Sequence, residues 1–172
     1  MIRKAVMKDA EAVEEIYDRI HAEEEAGRMR IGWARGVYPT RRTAEDAIAR
    51  GDLFVLEDGG EIAAAAIINQ IQVPSYSSAR WEYAAPPQEV MVLHTLTVSP
   101  AMAGRGYGKE FVAFYEAYAL SEGCRYLRMD TNAKNETARA MYRKLGYREA
   151  DTVLCTFNGI EGVALVCLEK KL

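Results

Sequence analysis

The chain reads as one α/β domain built on a mixed sheet. Three observations predict this. Short apolar strands and amphipathic helices interleave along the sequence without strict alternation. Two turn signals, Asp58-Gly59-Gly60 and Asn158-Gly159, each join strands that must run antiparallel. The length of 172 residues suits a single domain over 1–172, and no linker, repeat or low-complexity stretch divides it.

The elements follow in order. Residues 2–6 are a short first strand. Asp9 is a helix cap, and Ala12, Val13, Ile16, Tyr17 and Ile20 recur at helical spacing up to Glu25. Glu23-Glu24-Glu25 is the solvated end of that helix. Residues 27–39 are a glycine-containing connection that carries Trp33 and Tyr38. A second helix runs from Thr43 through Ala44, Asp46, Ala47 and Ile48 to Gly51. Residues 53–56 and 61–71 form the first hairpin. Residues 72–88, with Pro74, Pro86 and Pro87, are long for a plain connection, and such loops are often functional. Residues 90–98 are a strongly apolar strand. A glycine loop follows, then a helix with Phe111, Phe114, Tyr115 and Tyr118 on one side. Residues 126–129 are a strand, and 135–145 a helix stopped by Gly146. Residues 147–157 and 162–168 close the chain as the second hairpin.

Composition excludes several function classes. Hydrophobic residues are 49% and charged residues 27%, the balance of a folded soluble protein. Lys and Arg total 22 against 25 Asp and Glu, so the chain lacks the basic footprint of a nucleic-acid binder. No apolar run reaches the roughly 18 residues of a membrane helix, and charge interrupts the first residues before any signal core forms. The expected compartment is the cytoplasm. Cys124, Cys155 and Cys167 are odd in number and without CxxC spacing, which argues against a disulfide framework and against a metal site.

The glycine loop is Ala103-Gly104-Arg105-Gly106-Tyr107-Gly108, between an apolar strand and an amphipathic helix. Glycine lets backbone approach a ligand closely. The free amides at the following helix start converge with the positive end of the helix dipole behind them, which suits phosphate. Arg105 and Lys109 add charge. A Walker loop is excluded, because Ala103 stands where its first glycine belongs and Glu110 follows Lys109. The spacing GxGxG, past the middle of the chain, is not a dinucleotide fingerprint either.

Leu96-Thr97-Val98-Ser99-Pro100 followed by Gly104-Arg105-Gly106-Tyr107-Gly108 resembles the acetyl-CoA signature of the GNAT N-acetyltransferase superfamily. Asp130-Thr131-Asn132, then Asn135, Ala138, Met141-Tyr142 and Lys144-Leu145-Gly146-Tyr147, is similar to the family's second signature. The resemblance covers nearly the whole chain. It implies a mostly antiparallel sheet of six to seven strands, flanked by helices and splayed between the fourth and fifth strands. The donor it implies is acetyl-CoA, bound by Leu96, Thr97, Val98, residues 103–109 and Asn135. Ala103 departs from the family's usual Gln or Arg and loses one contact near the phosphates. The other use for Asn135 is as a helix cap, which suits Asn.

Acetyl transfer to an amine needs a neutral nucleophile, a donor for the thioester oxygen and a proton for the departing thiolate. By the resemblance, the amide of Leu96 supplies the donor and Tyr142 the proton. His94 is the expected base. In Leu93-His94-Thr95-Leu96-Thr97-Val98, strand alternation puts it on the same face as Leu96 and Val98. Glu89 and Glu82 are the rival bases, and His21 on the first helix is expected at the surface or in packing.

The acceptor is expected between the first two helices, their connection and the loop before the fourth strand. Those segments carry Arg30, Trp33, Tyr38, Tyr76, Trp81, Glu82 and Tyr83. Aromatic rings hold apolar or cationic groups and Glu82 can pair with an amine; alternatively these rings anchor loops or face a second copy of the chain. The implied activity is N-acetylation of a primary amine on a small molecule. Acetylation of a protein N-terminus or lysine is the alternative, and a non-catalytic acyl-CoA-binding module the alternative of another class.

Overall fold

The computed structural model describes all 172 residues. Seven strands form one sheet: β1 (Ile2–Lys4), β2 (Leu53–Asp58), β3 (Glu61–Asn69), β4 (Val90–Val98), β5 (Tyr126–Asn132), β6 (Arg148–Phe157) and β7 (Ile160–Lys171). Their spatial order is β1-β2-β3-β4-β5-β7-β6, antiparallel everywhere except β4 with β5. The four α-helices are α1 (Ala10–Glu25), α2 (Arg41–Arg50), α3 (Tyr107–Ser121) and α4 (Glu136–Lys144). No helix is long and apolar enough to cross a membrane.

The predicted elements are all present, with shifted boundaries. α2 starts two residues before the expected Thr43, because the Thr43 hydroxyl accepts the Thr40 N–H at 3.0 Å and so belongs inside the first turn. It ends at Gly51, whose φ of 76° is left-handed. β5 extends three residues beyond Met129, because Asp130, Thr131 and Asn132 pair with Cys167, Val166 and Leu165 of β7. The 72–88 stretch holds two short 3-10 turns, Pro74–Ser78 and Pro87–Glu89.

Apolar faces divide the core. Helices α3 and α4 cover one face of the sheet, where Phe111, Tyr115, Tyr142 and Tyr147 pack on Met91, Leu93, Leu127 and Met129. On the other face α1 and α2 bury Val13, Tyr17, Ala44 and Ala47 against Val55, Ala65 and Ile67. Beside them, Tyr76 of the 72–88 stretch packs on Val90, Val92, Val163, Leu165 and Cys167. Burying a side chain of this size contributes about 1.5–3 kcal/mol, so each helix is held to the sheet by several such terms.

Two features part β4 from β5. Their pairing runs from Val90–Tyr126 to Leu93–Met129 and then stops. Tyr115 ties the strands just before the gap, its hydroxyl 2.7 Å from the Met91 carbonyl and 3.2 Å from that of Arg128. Beyond the gap β4 carries a bulge. Ala65 pairs with Thr97 and Ile67 with His94, so Thr95 and Leu96 together face Ala66. Thr95 has φ 51°, a strained conformation for a β-branched residue.

Candidate active site

The bulge corrects one expectation. Thr97 and His94, paired with Ala65 and Ile67, lie on the α1–α2 face. Leu96 and Val98 pack on the α3–α4 face with Leu93. The extra residue inverts the alternation, so His94 stands on the opposite face from Leu96 and Val98.

The splay makes that opposition useful. A cavity of about 740 Å³ passes through the gap and is lined from both faces. Leu96, Val98, Gly108, Asn135, Ala138, Met141 and Tyr142 line it on the α3–α4 side. His94, Asp130, Trp33, Tyr38, Val73, Phe157, Ile160 and Leu165 line it on the other. Thr97 also lines it, its hydroxyl donating to the Ala65 carbonyl at 3.1 Å.

The glycine loop lies at the start of α3, at the edge of this cavity. Gly104 and Gly106 have φ of 81° and 85°, and a Cβ at either would meet nothing within 4 Å. Conformation, not crowding, therefore demands glycine there. Gly108 differs: a Cβ would stand 3.2 Å from Met141 Sδ, so its small size lets α3 approach α4. The backbone N–H groups of residues 104–109 have no protein acceptor. Lys109 has no ion-pair partner, while Arg105 sits 3.8 Å from Asp58 and the Tyr107 hydroxyl donates to Asp58 at 2.5 Å. Ala103 precedes this run, its own N–H bonded to Pro100. Asn135 caps α4, its Oδ1 accepting the Ala138 N–H at 3.2 Å, and its side-chain NH2 is left for a ligand.

Tyr142 is buried at the end of α4's apolar stripe, its ring edge-on to Tyr147 at 6.0 Å. Its hydroxyl has no protein partner and borders the cavity. Burial first, and then the nearby Asp130 charge, push this phenol well above its ordinary pKa, so it holds its proton at neutral pH.

His94 is fixed by a relay. Asn69 accepts the Ile71 N–H at 2.9 Å on Oδ1 and donates from Nδ2 to Asp52 at 2.8 Å. That orientation makes Asn69 Oδ1 an acceptor for His94 Nε2, 2.9 Å away, so Nε2 carries the hydrogen and Nδ1 is the free acceptor. Burial pushes the imidazole down to about 4, so the ring is neutral at pH 7.

Asp130, a residue the sequence reading gave no role, stands at the same depth. Tyr76 donates to its Oδ2 at 2.6 Å. Burial pushes the carboxyl up to about 6, against the opposing pull of the Tyr76 hydrogen bond. The alternation Leu127-Arg128-Met129-Asp130 puts Arg128 and Asp130 on one strand face, and an acidic residue there was the available signal.

The remaining expected acceptor residues divide. Trp33, Tyr38 and Arg30 line the cavity, and Tyr76 reaches it through Asp130. Trp81 and Glu82 do not. The Trp81 Nε1–H donates to the Tyr76 carbonyl at 2.9 Å, and the Arg128 guanidinium stacks 4.2 Å from its ring centre. Glu82 pairs with Arg148 at 2.7 Å, and Tyr83 packs on Tyr126. Glu89 sits in the turn before β4, at the end where the strands are still paired. Neither rival carboxylate reaches the cavity. His21 is buried, its Nε2 donating to the Pro39 carbonyl at 2.9 Å.

The sequence matches the Acetyltransferase (GNAT) family over residues 11–147. The N-acetyltransferase YycN of Bacillus subtilis (strain 168) is 33% identical over 76 residues, which are 43% of this chain and 49% of that relative. The match thus spans about half of the curated relative's length. Among solved structures, a GNAT-family acetyltransferase from Streptococcus agalactiae 2603 superposes with a TM-score of 0.77 at 23% identity, covering 100% of this chain and 95% of its own. One from Listeria monocytogenes 4b F2365 gives 0.76 at 20% identity, covering 100% and 94%. The yncA protein of Salmonella typhimurium, solved with its cofactor acetyl-CoA, gives 0.72 at 15% identity, covering 100% and 93%.

Proposed function

The chain belongs to the GNAT acetyltransferase family, and on that premise we propose that it transfers an acetyl group from acetyl-CoA to a primary amine of a small molecule. One observation carries the reading: a single cavity joins an unpaired tyrosine hydroxyl and two proton acceptors through a gap in the sheet, and at its edge Gly108 leads to the row of unpaired backbone amides.

The donor side fits the group. The free N–H groups of residues 104–109, at the positive end of α3 and beside Lys109, suit pyrophosphate. Leu96 and Val98 border the path of the pantetheine arm, and the Asn135 side-chain amide can donate to it. The bulge interrupts the regular register with β3 at Leu96, and in this reading the Leu96 N–H is the donor to the thioester oxygen. When bound, acetyl-CoA supplies an acyl carbon, to which the amine nitrogen bonds as the carbon–sulfur bond breaks.

Protons follow the two faces. A primary ammonium, with a pKa of about 10, must lose two protons to become an amide nitrogen. In this reading the Asp130 carboxylate pairs with the ammonium and takes the first. His94 Nδ1 takes the second, once nitrogen is bonded to carbon. Tyr142 gives its hydroxyl proton to the sulfur and regains one of those two protons through solvent, so of the two that nitrogen loses one replaces the proton passed to sulfur and the other leaves to solvent. Reduced thiols such as Cys155 suit the cytoplasm as the compartment.

Thermal melting tests the donor side directly. Acetyl-CoA should raise the melting temperature, since a ligand that binds only the folded state stabilises it. No shift at any concentration would refute the reading.

A further inference from the structure

The connection between α1 and α2 crosses the acceptor side of the gap and is tied down along its length. At its start the Glu24 carboxylate accepts the N–H groups of Ile31 at 2.6 Å and Gly32 at 3.1 Å. At its end His21 holds the Pro39 carbonyl. Between these ends it touches three elements. The Tyr38 hydroxyl bonds to Thr95 on the β4 bulge. Gly32 lies so close to β5 that a Cβ there would collide with the Asn132 side-chain amide. Val37 Cγ1 would stand 3.2 Å from a Cβ at Gly159, in the β6–β7 turn. The segment therefore bridges β4, β5 and the last hairpin, and forms one wall of a chamber on the acceptor side.

The chamber combines apolar walls with uncharged polar groups such as Thr131 and Asn158. Its walls include Trp33, Tyr38, Val73, Phe157, Ile160 and Leu165. Trp33 meets Tyr38 edge-on at 5.9 Å. The other charged residues around the cavity, Arg28, Arg30, Lys134 and Glu136, are all exposed at its rim. Asp130 is the one carboxylate inside, its Oδ2 on Tyr76 and its Oδ1 without a protein partner.

Resting on the acetyltransferase reading, we propose that the acceptor is a small primary amine on an uncharged apolar body, aromatic or branched alkyl, whose ammonium pairs with Asp130 beneath the 26–40 strap. A polyamine would bury further cations with no second carboxylate to meet them. An amino acid would bring a carboxylate next to its amine, where the chamber offers Asp130 and no buried cation. A polypeptide N-terminus would have to lead the rest of its chain out past Trp33 and Tyr38 of the strap, which line the cavity. Aromatic and aliphatic walls instead reward burial of an apolar body.

Steady-state thiol release with 2-phenylethylamine, spermidine and a short peptide with a free N-terminus tests the proposal. The expected kcat/KM for 2-phenylethylamine exceeds that of the other two by about tenfold or more, the scale of burying a ring-sized apolar group. Calorimetric titration of 2-phenylethylamine onto the protein with CoA adds a readout free of turnover. Trp33→Ala and, separately, Ile160→Gln should each weaken that binding about tenfold while the melting shift with acetyl-CoA is unchanged. Equal or faster turnover of spermidine or the peptide overturns the proposal. So does a protein that is stabilised by acetyl-CoA yet neither binds nor acetylates 2-phenylethylamine. Absence of any acetyl-CoA stabilisation would instead overturn the acetyltransferase reading on which the proposal rests.

Discussion

His94 and Asp130 hold matching places on the two strands that part: the last rung between β4 and β5 is Leu93–Met129, and each of the two residues follows it directly. Both project to the acceptor face, His94 as the neighbour of Ile67 and Asp130 as the neighbour of Cys167. The fold thus brings two proton acceptors to the apex of the gap, while Tyr142 approaches from the other face.

The pH dependence of kcat/KM separates the two acceptors. With the Asp130 carboxyl at about 6 and His94 at about 4, wild-type kcat/KM should rise with pH through an ionisation near 6. The rise should vanish in Asp130→Asn and persist, at lower rate, in His94→Ala. A rise that survives in Asp130→Asn and disappears in His94→Ala would reverse the assignment.

Asp130 should also leave a mark on stability. Its folded pKa is raised, so folding disfavours the carboxylate, and the cost accumulates as pH rises from the unfolded value through about 6. Asp130→Asn keeps an acceptor for Tyr76 and removes that cost. The variant should be more stable than wild type by about 1–2 kcal/mol above pH 7, allowing for solvent in the cavity, with the difference shrinking towards pH 4. Matching denaturation midpoints at pH 5 and pH 8 would contradict this.

The glycine loop separates charge from conformation. At φ 85° Gly106 tolerates Asn better than most residues, and a Cβ there meets open space. Gly106→Asn should retain much of the melting shift with acetyl-CoA. Gly106→Asp, of nearly equal size, should lose it by placing negative charge beside the phosphate site. Equal shifts in the two variants would show that phosphate does not bind at this loop.

Much of this site was legible because its signals are contiguous. The glycine spacing before α3 and the run from Asn135 to Tyr147 each sit on one local element, where sequence distance and spatial distance agree. The β4 bulge left one local trace: in Leu93-His94-Thr95-Leu96-Thr97-Val98 two polar residues stand together, so the apolar spacing slips from two to three between Leu93 and Leu96. That Thr95 turns left-handed there was not legible, since its hydroxyl meets Tyr38 from 57 residues away. Asp130 was missed for a similar reason, since its environment depends on Tyr76, 54 residues earlier. Trp81 and Glu82 looked like acceptor residues because their chemistry fits an amine. Their partners turn out to be Tyr76, Arg128 and Arg148, which pin the 72–88 stretch to the sheet.

The account's central claim is that this cavity moves an acetyl group and does not merely hold acyl-CoA. Mass spectrometry of products from wild type and Tyr142→Phe, with acetyl-CoA and 2-phenylethylamine under saturation, tests it most directly. Wild type should form N-acetyl amide and free CoA in equal amounts. Tyr142→Phe keeps the ring packed on Tyr147, so it should retain its melting shift with acetyl-CoA while amide formation falls roughly 10²–10⁴-fold, the usual worth of a positioned general acid. Amide formation at the wild-type rate in Tyr142→Phe would contradict the acid role. A wild-type protein that is stabilised by acetyl-CoA but acetylates no amine would contradict the claim itself.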